Sequence, residues 1–105
     1  MTVLTPGVII VSMIKTFADK ETEKLFERTF SKKLPQNIHR IARMRLEILD
    51  AAEVLQDMRV PPGNRLEKLS GDRKGKYSIR VNNQWRIFFS WRQENAFDVE
   101  IVDYH

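Results

Sequence analysis

The 105 residues are 42% apolar and 10% aromatic with only four Gly and four Pro, which makes one domain's worth of foldable chain and leaves no room for a second catalytic domain. Cysteine is absent, which excludes thiol nucleophiles, disulfides and thiolate metal sites. The net charge of +4 conceals an asymmetry: Arg59 to Arg92 holds nine basic residues against Glu67 and Asp72, a net of +7 that leaves −3 for the rest. A block of that sign suits a polyanionic partner; the plainer alternative is a solvated basic surface.

Residues 1–12 carry no charged side chain, and Met13 restarts the chain ahead of a strand-like segment. That stretch reads as an N-terminal extension to a single domain spanning 13–105. Its apolar run from Val8 to Val11 is far shorter than the roughly 18 to 20 residues of a spanning helix, so a cytoplasmic protein with no membrane partner is expected.

Ile14 to Phe17 reads as a short strand, followed by Asp19 as the N-cap of a helix whose apolar residues are Leu25, Phe26 and Phe30. After a polar break at Ser31 to Leu34, Pro35 suits the first turn of a second helix. Ile38, Ile41, Ala42, Leu46, Leu49 and Ala52 recur there at helical spacing, predicting a helix to about Met58 with a kink near Asp50. Pro61-Pro62-Gly63 must end it. His39 falls on the polar side of this helix and reads as a surface residue.

Beyond Gly63 the pattern alternates through Leu66 and Leu69; Tyr77, Ile79 and Val81; Trp85, Ile87, Phe89 and Trp91; then Phe97, Val99 and Ile101. Turn residues punctuate it, predicting an antiparallel meander of three or four strands. The fold class is therefore α+β: an N-terminal strand and two helices packed on a mainly antiparallel sheet.

Register places the arginines. A two-residue turn at Asn82-Asn83 would split the apolar set between faces, whereas a loop of Asn82, Asn83 and Gln84 sets Val81 against Trp85 and Ile79 against Ile87. Arg80 then falls opposite Arg86 on the other face. A five-residue connection from Arg92 to Ala96 would set Trp91 against Phe97 and Ile87 against Ile101, making Val102 the neighbour of Arg86 with Tyr104 diagonally beyond. Two arginines directly opposed repel, a cost that a bound phosphate or the carboxylates of Asp98 and Glu100 can offset. Deleting one of them is expected to relieve that repulsion. Arginine suits the phosphate reading because its planar fork grips two oxygens and keeps its charge.

The C-terminal Asp103-Tyr104-His105 places three ionisable groups together, with histidine's ordinary pKa of about 6.5 suited to proton transfer. The two histidines and scattered carboxylates show no metal-ligand spacing, and no cofactor or acyl-transfer motif is present.

Three separated strings, Pro-Pro-Gly-Asn-Arg-Leu-Glu-Lys-Leu-Ser-Gly-Asp-Arg at 61–73, Tyr-Ser-Ile-Arg-Val-Asn-Asn-Gln-Trp-Arg-Ile at 77–87 and Val-Glu-Ile-Val-Asp-Tyr-His at 99–105, resemble HigB-type toxins of the RelE superfamily. The resemblance covers about residues 13–105. It implies a compact RelE-like, microbial-RNase-like fold, cleavage of messenger RNA in the ribosomal A site, and neutralisation by a helix-turn-helix antitoxin of the HigA type. By matching position, Arg73, Arg80, Arg86, Asp103, Tyr104 and His105 are the expected catalytic residues. Arg65, Lys68, Lys74 and Lys76 are expected to hold RNA, including ribosomal RNA, through their place in the basic block.

The sequence departs from some members of the family at Glu67-Lys68-Leu69-Ser70, where they carry His-Pro-Leu-Lys. One histidine and one lysine are thereby missing, and Lys68 or Lys74 can replace only the charge. The alternative reading is thus a catalytically decayed domain that binds RNA or antitoxin without cutting.

The chemistry of metal-free RNA cleavage needs an acceptor for the 2′-hydroxyl proton, cations for the phosphorane and a donor for the departing 5′-oxygen. Arg80, Arg86 and Arg73 supply cations and His105 leads for proton transfer, with Asp103 orienting it or sharing the task. Tyr104 can stack on or hydrogen-bond the RNA. Acid and base stay unassigned at this level.

Overall fold

The computed structural model describes residues 13–71 and 75–104. The expected extension at 1–12, together with Arg73, Lys74 and His105, lies outside the described residues. Two helices, α1 (Lys20–Phe26) and α2 (His39–Ala51), pack on a four-stranded antiparallel sheet of β1 (Glu67–Lys68), β2 (Lys76–Arg80), β3 (Trp85–Arg92) and β4 (Asn95–Asp103) in that spatial order. This is the α+β arrangement expected from the order of helical and alternating periods.

The segment at 14–17 runs alongside β4 through two isolated parallel bridges, Ile14 to Ala96 and Phe17 to Val99, rather than as a continuous strand. A bulge in β4 breaks the ladder between them, and the Thr16 hydroxyl instead accepts from the Asp98 amide at 2.8 Å. Asp19 caps α1 as expected, its Oδ1 accepting from the Thr22 amide at 2.7 Å. The helix then stops early. Arg28 turns left-handed at φ 64°, and the amides of Arg28 and Thr29 return to the carbonyls of Leu25 and Lys24. Phe30 is consequently outside the helix and 56% exposed, not part of its apolar face.

The second helix is also shorter than its periodicity predicts. Pro35 precedes a 3₁₀ turn at Gln36–Ile38 that leads into α2, and α2 ends at Ala51 instead of about Met58. The Asp57 carboxylate takes the amides of Glu53 and Val54 at 2.9 and 3.2 Å, competing with the helix for those donors. The chain resumes as a 3₁₀ turn at Leu55–Arg59. His39 is buried, contrary to its surface assignment: its Nε2–H donates to the Leu34 carbonyl at 2.9 Å and its ring meets Phe30 edge-on.

Leu25, Ile38, Ala42, Leu46 and Leu49 from the helical layer pack on Ile79, Ile87, Phe89, Val99 and Ile101 of the sheet, all 6% exposed or less. Thr22, fully buried on α1, accepts from the Ile101 amide at 2.9 Å and ties that helix to β4. Between β2 and β3 the expected register holds, with Ile79 opposite Ile87 and Arg80 opposite Arg86.

The β3–β4 turn differs. Gln93 and Glu94, both left-handed, make a two-residue turn that pairs Trp91 with Ala96 and Ser90 with Phe97. An extra residue between Phe97 and Glu100, with Asp98 at φ 54°, then shifts the register by one and restores Ile87 opposite Ile101 and Arg86 opposite Val102. Phe97 is therefore on the face away from the helices, under the Arg92 guanidinium at 3.9 Å, while Ala96 takes the core position.

Candidate active site

Alternation along the strands puts Lys76, Ser78 and Arg80 of β2, Arg86, Phe88 and Ser90 of β3, and Glu100 and Val102 of β4 on the sheet face opposite the helices. Arg86 lies at the centre of it. Only 7% exposed, it donates from Nε to the Ser78 hydroxyl at 2.7 Å and from Nη2 to the Arg65 carbonyl at 2.6 Å. A longer contact at 3.4 Å reaches the Ser78 carbonyl. Among the described residues nothing bonds Nη1, so one edge of the guanidinium keeps its donors for a ligand. Two edges are already committed, which corrects the expectation of a fork free to grip two oxygens.

The anchor is built by the turn before β1. Arg65 adopts a left-handed conformation at φ 46°, uncommon for a residue with a side chain, and this turn carries the carbonyl that meets Arg86. Fully buried Asn64 stabilises the turn, donating from Nδ2 to the carbonyls of Met58 and Val60 at 3.1 and 3.2 Å. Neither Asp98 nor Glu100 pairs with Arg86. Among the described residues the carboxylate within ion-pair distance of it is that of Glu67, whose Oε1 lies 3.9 Å from Nη2.

Burial pushes Arg86 below the ordinary arginine pKa; Glu67 and Tyr104 oppose that shift, and Arg80 and Arg65 add to it. Its opposite number behaves differently. Arg80 is half-buried and donates from Nη2 to the Asn83 side-chain oxygen, while its carbonyl accepts from Arg45 Nε of α2 at 3.2 Å. Repulsion across the pair is thus relieved by divergence: one guanidinium goes down into the backbone and the other outward to the loop.

Tyr104 stands beside this pair, 47% exposed, its ring edge-on to buried Phe88 at 5.6 Å and its amide donating to the Gln84 carbonyl at 2.6 Å. Asp103 is exposed and accepts from Gln84 Nε2 at 3.1 Å. Of the expected RNA contacts, Lys76 shares the arginine face, and Arg65 contributes an exposed side chain as well as its carbonyl. Lys68 pairs with Tyr77 on the opposite side of the ladder from Glu67. Arg80, Arg86 and Tyr104 are therefore brought together and Lys68 is set apart. No group of three or more potential metal ligands occurs among the described residues.

Sequence reasoning passed over Ser78, Glu67 and Arg45. Ser78 was legible as a small hydroxyl two residues before Arg80 on the same face, diagonal to Arg86; Glu67 registered only as the loss of a histidine.

The description of RelE-like toxins of type II toxin-antitoxin systems, HigB, matches residues 15–105. The chain is 46% identical to Toxin HigB-1 of Vibrio cholerae over 80 residues, covering 75% of this chain and 84% of that one. It is 36% identical to Endoribonuclease HigB of Proteus vulgaris over 98 residues, covering 89% of this chain and all of that one.

Proposed function

Since this chain belongs to the HigB-like family of RelE-like toxins of type II toxin-antitoxin systems, and so has an antitoxin as its partner, we propose that it is an endoribonuclease that cuts messenger RNA in the ribosomal A site. The observation that carries this reading is Arg86: a buried guanidinium fixed by Ser78 and the Arg65 carbonyl, opposite Arg80, with no bond to Nη1 among the described residues. A cation held in this way needs no reorganisation when charge develops on a phosphorane. The endoribonuclease name of the Proteus relative supports the same activity.

RNA supplies its own nucleophile. The 2′-oxygen attacks the adjacent phosphorus, Arg86 and Arg80 with Arg73 stabilise the equatorial oxygens, and the 5′-oxygen leaves with a proton. His105 is the proton-transfer residue, Asp103 orients it, and Tyr104 stacks on or hydrogen-bonds the RNA. Arg65, Lys74 and Lys76 hold the phosphate backbone of message or ribosomal RNA, while Lys68, on the other side of the ladder, is left for a contact outside the arginine face. The domain at 13–105 carries the activity in the cytoplasm, and a helix-turn-helix antitoxin restrains it.

On this reading the ribosome holds the message strand in the attacking geometry, an effect that can contribute several kcal/mol. Purified toxin should accordingly cut ribosome-engaged message far faster than the same RNA naked. Equal rates on both would establish a general ribonuclease and refute ribosome dependence; no cutting of either would favour the decayed, non-enzymatic binder.

A further inference from the structure

We infer that Asn64 is a positioning residue for cleavage: it fixes the Arg65 carbonyl that holds Arg86, and through that guanidinium it sets the maximal rate. The inference rests on the endoribonuclease reading and assigns part of the site's rigidity to a fully buried side chain. The two anchors of Arg86 differ in what holds them. Ser78 lies inside the ladder, paired with Glu67 on one side and Phe88 on the other, so sheet register fixes its hydroxyl. The Arg65 carbonyl has no such support, because the β1–β2 ladder begins only at Glu67. Its place is set by the turn Pro62–Asn64 and by the left-handed backbone of Arg65 at φ 46°. A residue with a side chain relaxes out of that conformation unless its surroundings over-determine it.

Asn64 supplies that over-determination. Pro61, Pro62, Gly63 and Arg65 are all exposed, so the turn is not held by packing of their side chains; of residues 61–65 Asn64 alone is buried. Its Nδ2 donates to the carbonyls of Met58 and Val60 at 3.1 and 3.2 Å, while its backbone amide and that of Arg65 close on the carbonyls of Pro61 and Pro62 at 2.9 and 3.1 Å. Met58 is fully buried in the core, so the side-chain amide ties the turn to a fixed point. Its Oδ1, also buried, meets no donor among the described residues. An unpaired buried acceptor is a cost, and Asn64 carries it in the arrangement that points its donors at the turn.

Without the two bonds from Nδ2, Arg65 can return to negative φ and turn its carbonyl away from Nη2. The guanidinium then keeps the Ser78 hydroxyl at Nε and swings about it. A cation that stabilises the phosphorane must already be in place when charge develops, and a displacement of about 1 Å can cost on the order of 10²-fold in rate. Binding depends on the exposed cations, whose long side chains tolerate such a shift.

The test is a double-mutant cycle on cleavage of ribosome-engaged message by the full chain: Asn64→Ala, Arg86→Ala and the two together, with thermal melting of each. Ser31→Ala is the control, since it also loses buried hydrogen bonds, to Glu21 and Leu34 in the helical layer. Asn64→Ala should lower the maximal rate per folded molecule by about tenfold to 10²-fold with half-saturation little changed. Asn64→Ser, which keeps one donor, should lose less, and it carries the same measurements if the alanine variant does not fold. In the Arg86→Ala background the change should cost less than about threefold, because a residue that acts through the guanidinium has nothing left to position. Ser31→Ala should lower the melting temperature without lowering the rate per folded molecule. An NMR readout stands apart from activity: the Nε–H resonance of Arg86, identified by its absence from Arg86→Ala, should exchange with water slowly in the parent and about tenfold faster or more in Asn64→Ala. Equal losses in the two backgrounds, or unchanged Nε–H exchange, would overturn the inference, as would a folded Asn64→Ala of full activity beside an inactive Arg86→Ala; each leaves the endoribonuclease reading intact. Full activity of Arg86→Ala would refute that reading, and the exchange rate would then decide by itself whether Asn64 fixes the guanidinium.

Discussion

Arg80 and Arg86 face each other directly across β2 and β3, yet Arg86 is tied to Ser78 and the Arg65 carbonyl while Arg80 reaches out to Asn83. Charge opposition alone makes the pair a liability. The geometry makes Arg86 part of the framework, since its side chain joins β1's approach, β2 and β3 through hydrogen bonds shielded from water.

Removing Arg86 should therefore cost stability, reversing the expectation drawn from like-charge repulsion. In Arg86→Ala the fully buried Ser78 hydroxyl and the Arg65 carbonyl both lose their donor. An unsatisfied buried group costs about 1 to 3 kcal/mol, so denaturant unfolding should show a loss of that order. A variant as stable as the parent would show that water or a neighbour replaces the guanidinium without cost.

Arg80 should separate from Arg86 on the same measurement. Half-exposed, its side chain bonding only the loop residue Asn83 among the described residues, it is expected to cost less than about 1 kcal/mol as Arg80→Ala. Its loss should weaken RNA binding and steepen neither limb of the melting curve. Equal destabilisation by the two alanine variants would contradict the division of roles.

Asp98 sets the register that brings Val102 and Tyr104 to the arginine pair. A β-branched residue is poorly tolerated at its φ of 54°, so Asp98→Val should destabilise by about 1 to 3 kcal/mol. Asp98→Gly should be milder, since glycine takes that conformation freely. Urea titration of both variants checks this, and the reverse order would mean that the bulge is not what fixes β4.

Glu21 gives the protein an acid-sensitive contact. The Ser31 hydroxyl donates to its Oε1 at 2.6 Å and holds its carboxyl below the ordinary range, with Lys24 and Lys33 adding to the effect against a smaller opposing desolvation. A carboxyl lowered in the folded state contributes stability that is full above its unfolded pKa and is lost as pH falls through the folded one. Melting temperature should thus fall on acidification below the ordinary carboxyl range, and Glu21→Gln should flatten that decline. An unchanged acid limb would assign it to other carboxylates.

The sheet was legible because alternation is strict on both sides of Asn82 to Gln84: keeping Ile79 and Ile87 on one face forced the arginines together. The β3–β4 turn was not, because two departures cancel. A tight turn at Gln93-Glu94 moves the register one way and the bulge at Asp98 moves it back, so the Ile87–Ile101 pairing came out right while Phe97 was assigned to the wrong face. Helix ends were hidden for a related reason: the left-handed Arg28 and the capping carboxylate of Asp57 stop helices that apolar spacing would continue. Within the site, Arg80, Arg86 and Tyr104 could be read from register and motif. The anchors could not, since a carbonyl at a left-handed Arg65 has no sequence signature and a lone serine reads as filler in a strand.

The most direct test of the account is the rate at which Arg86→Ala cuts ribosome-engaged message, measured at a temperature where melting shows the variant fully folded. If the fixed guanidinium stabilises the phosphorane, the maximal rate should fall by roughly 10² to 10³ with half-saturation nearly unchanged, as for loss of one preorganised donor. A folded Arg86→Ala that cuts at the parent's rate would contradict it, leaving Arg86 as a structural tie between strands and placing the chemistry elsewhere.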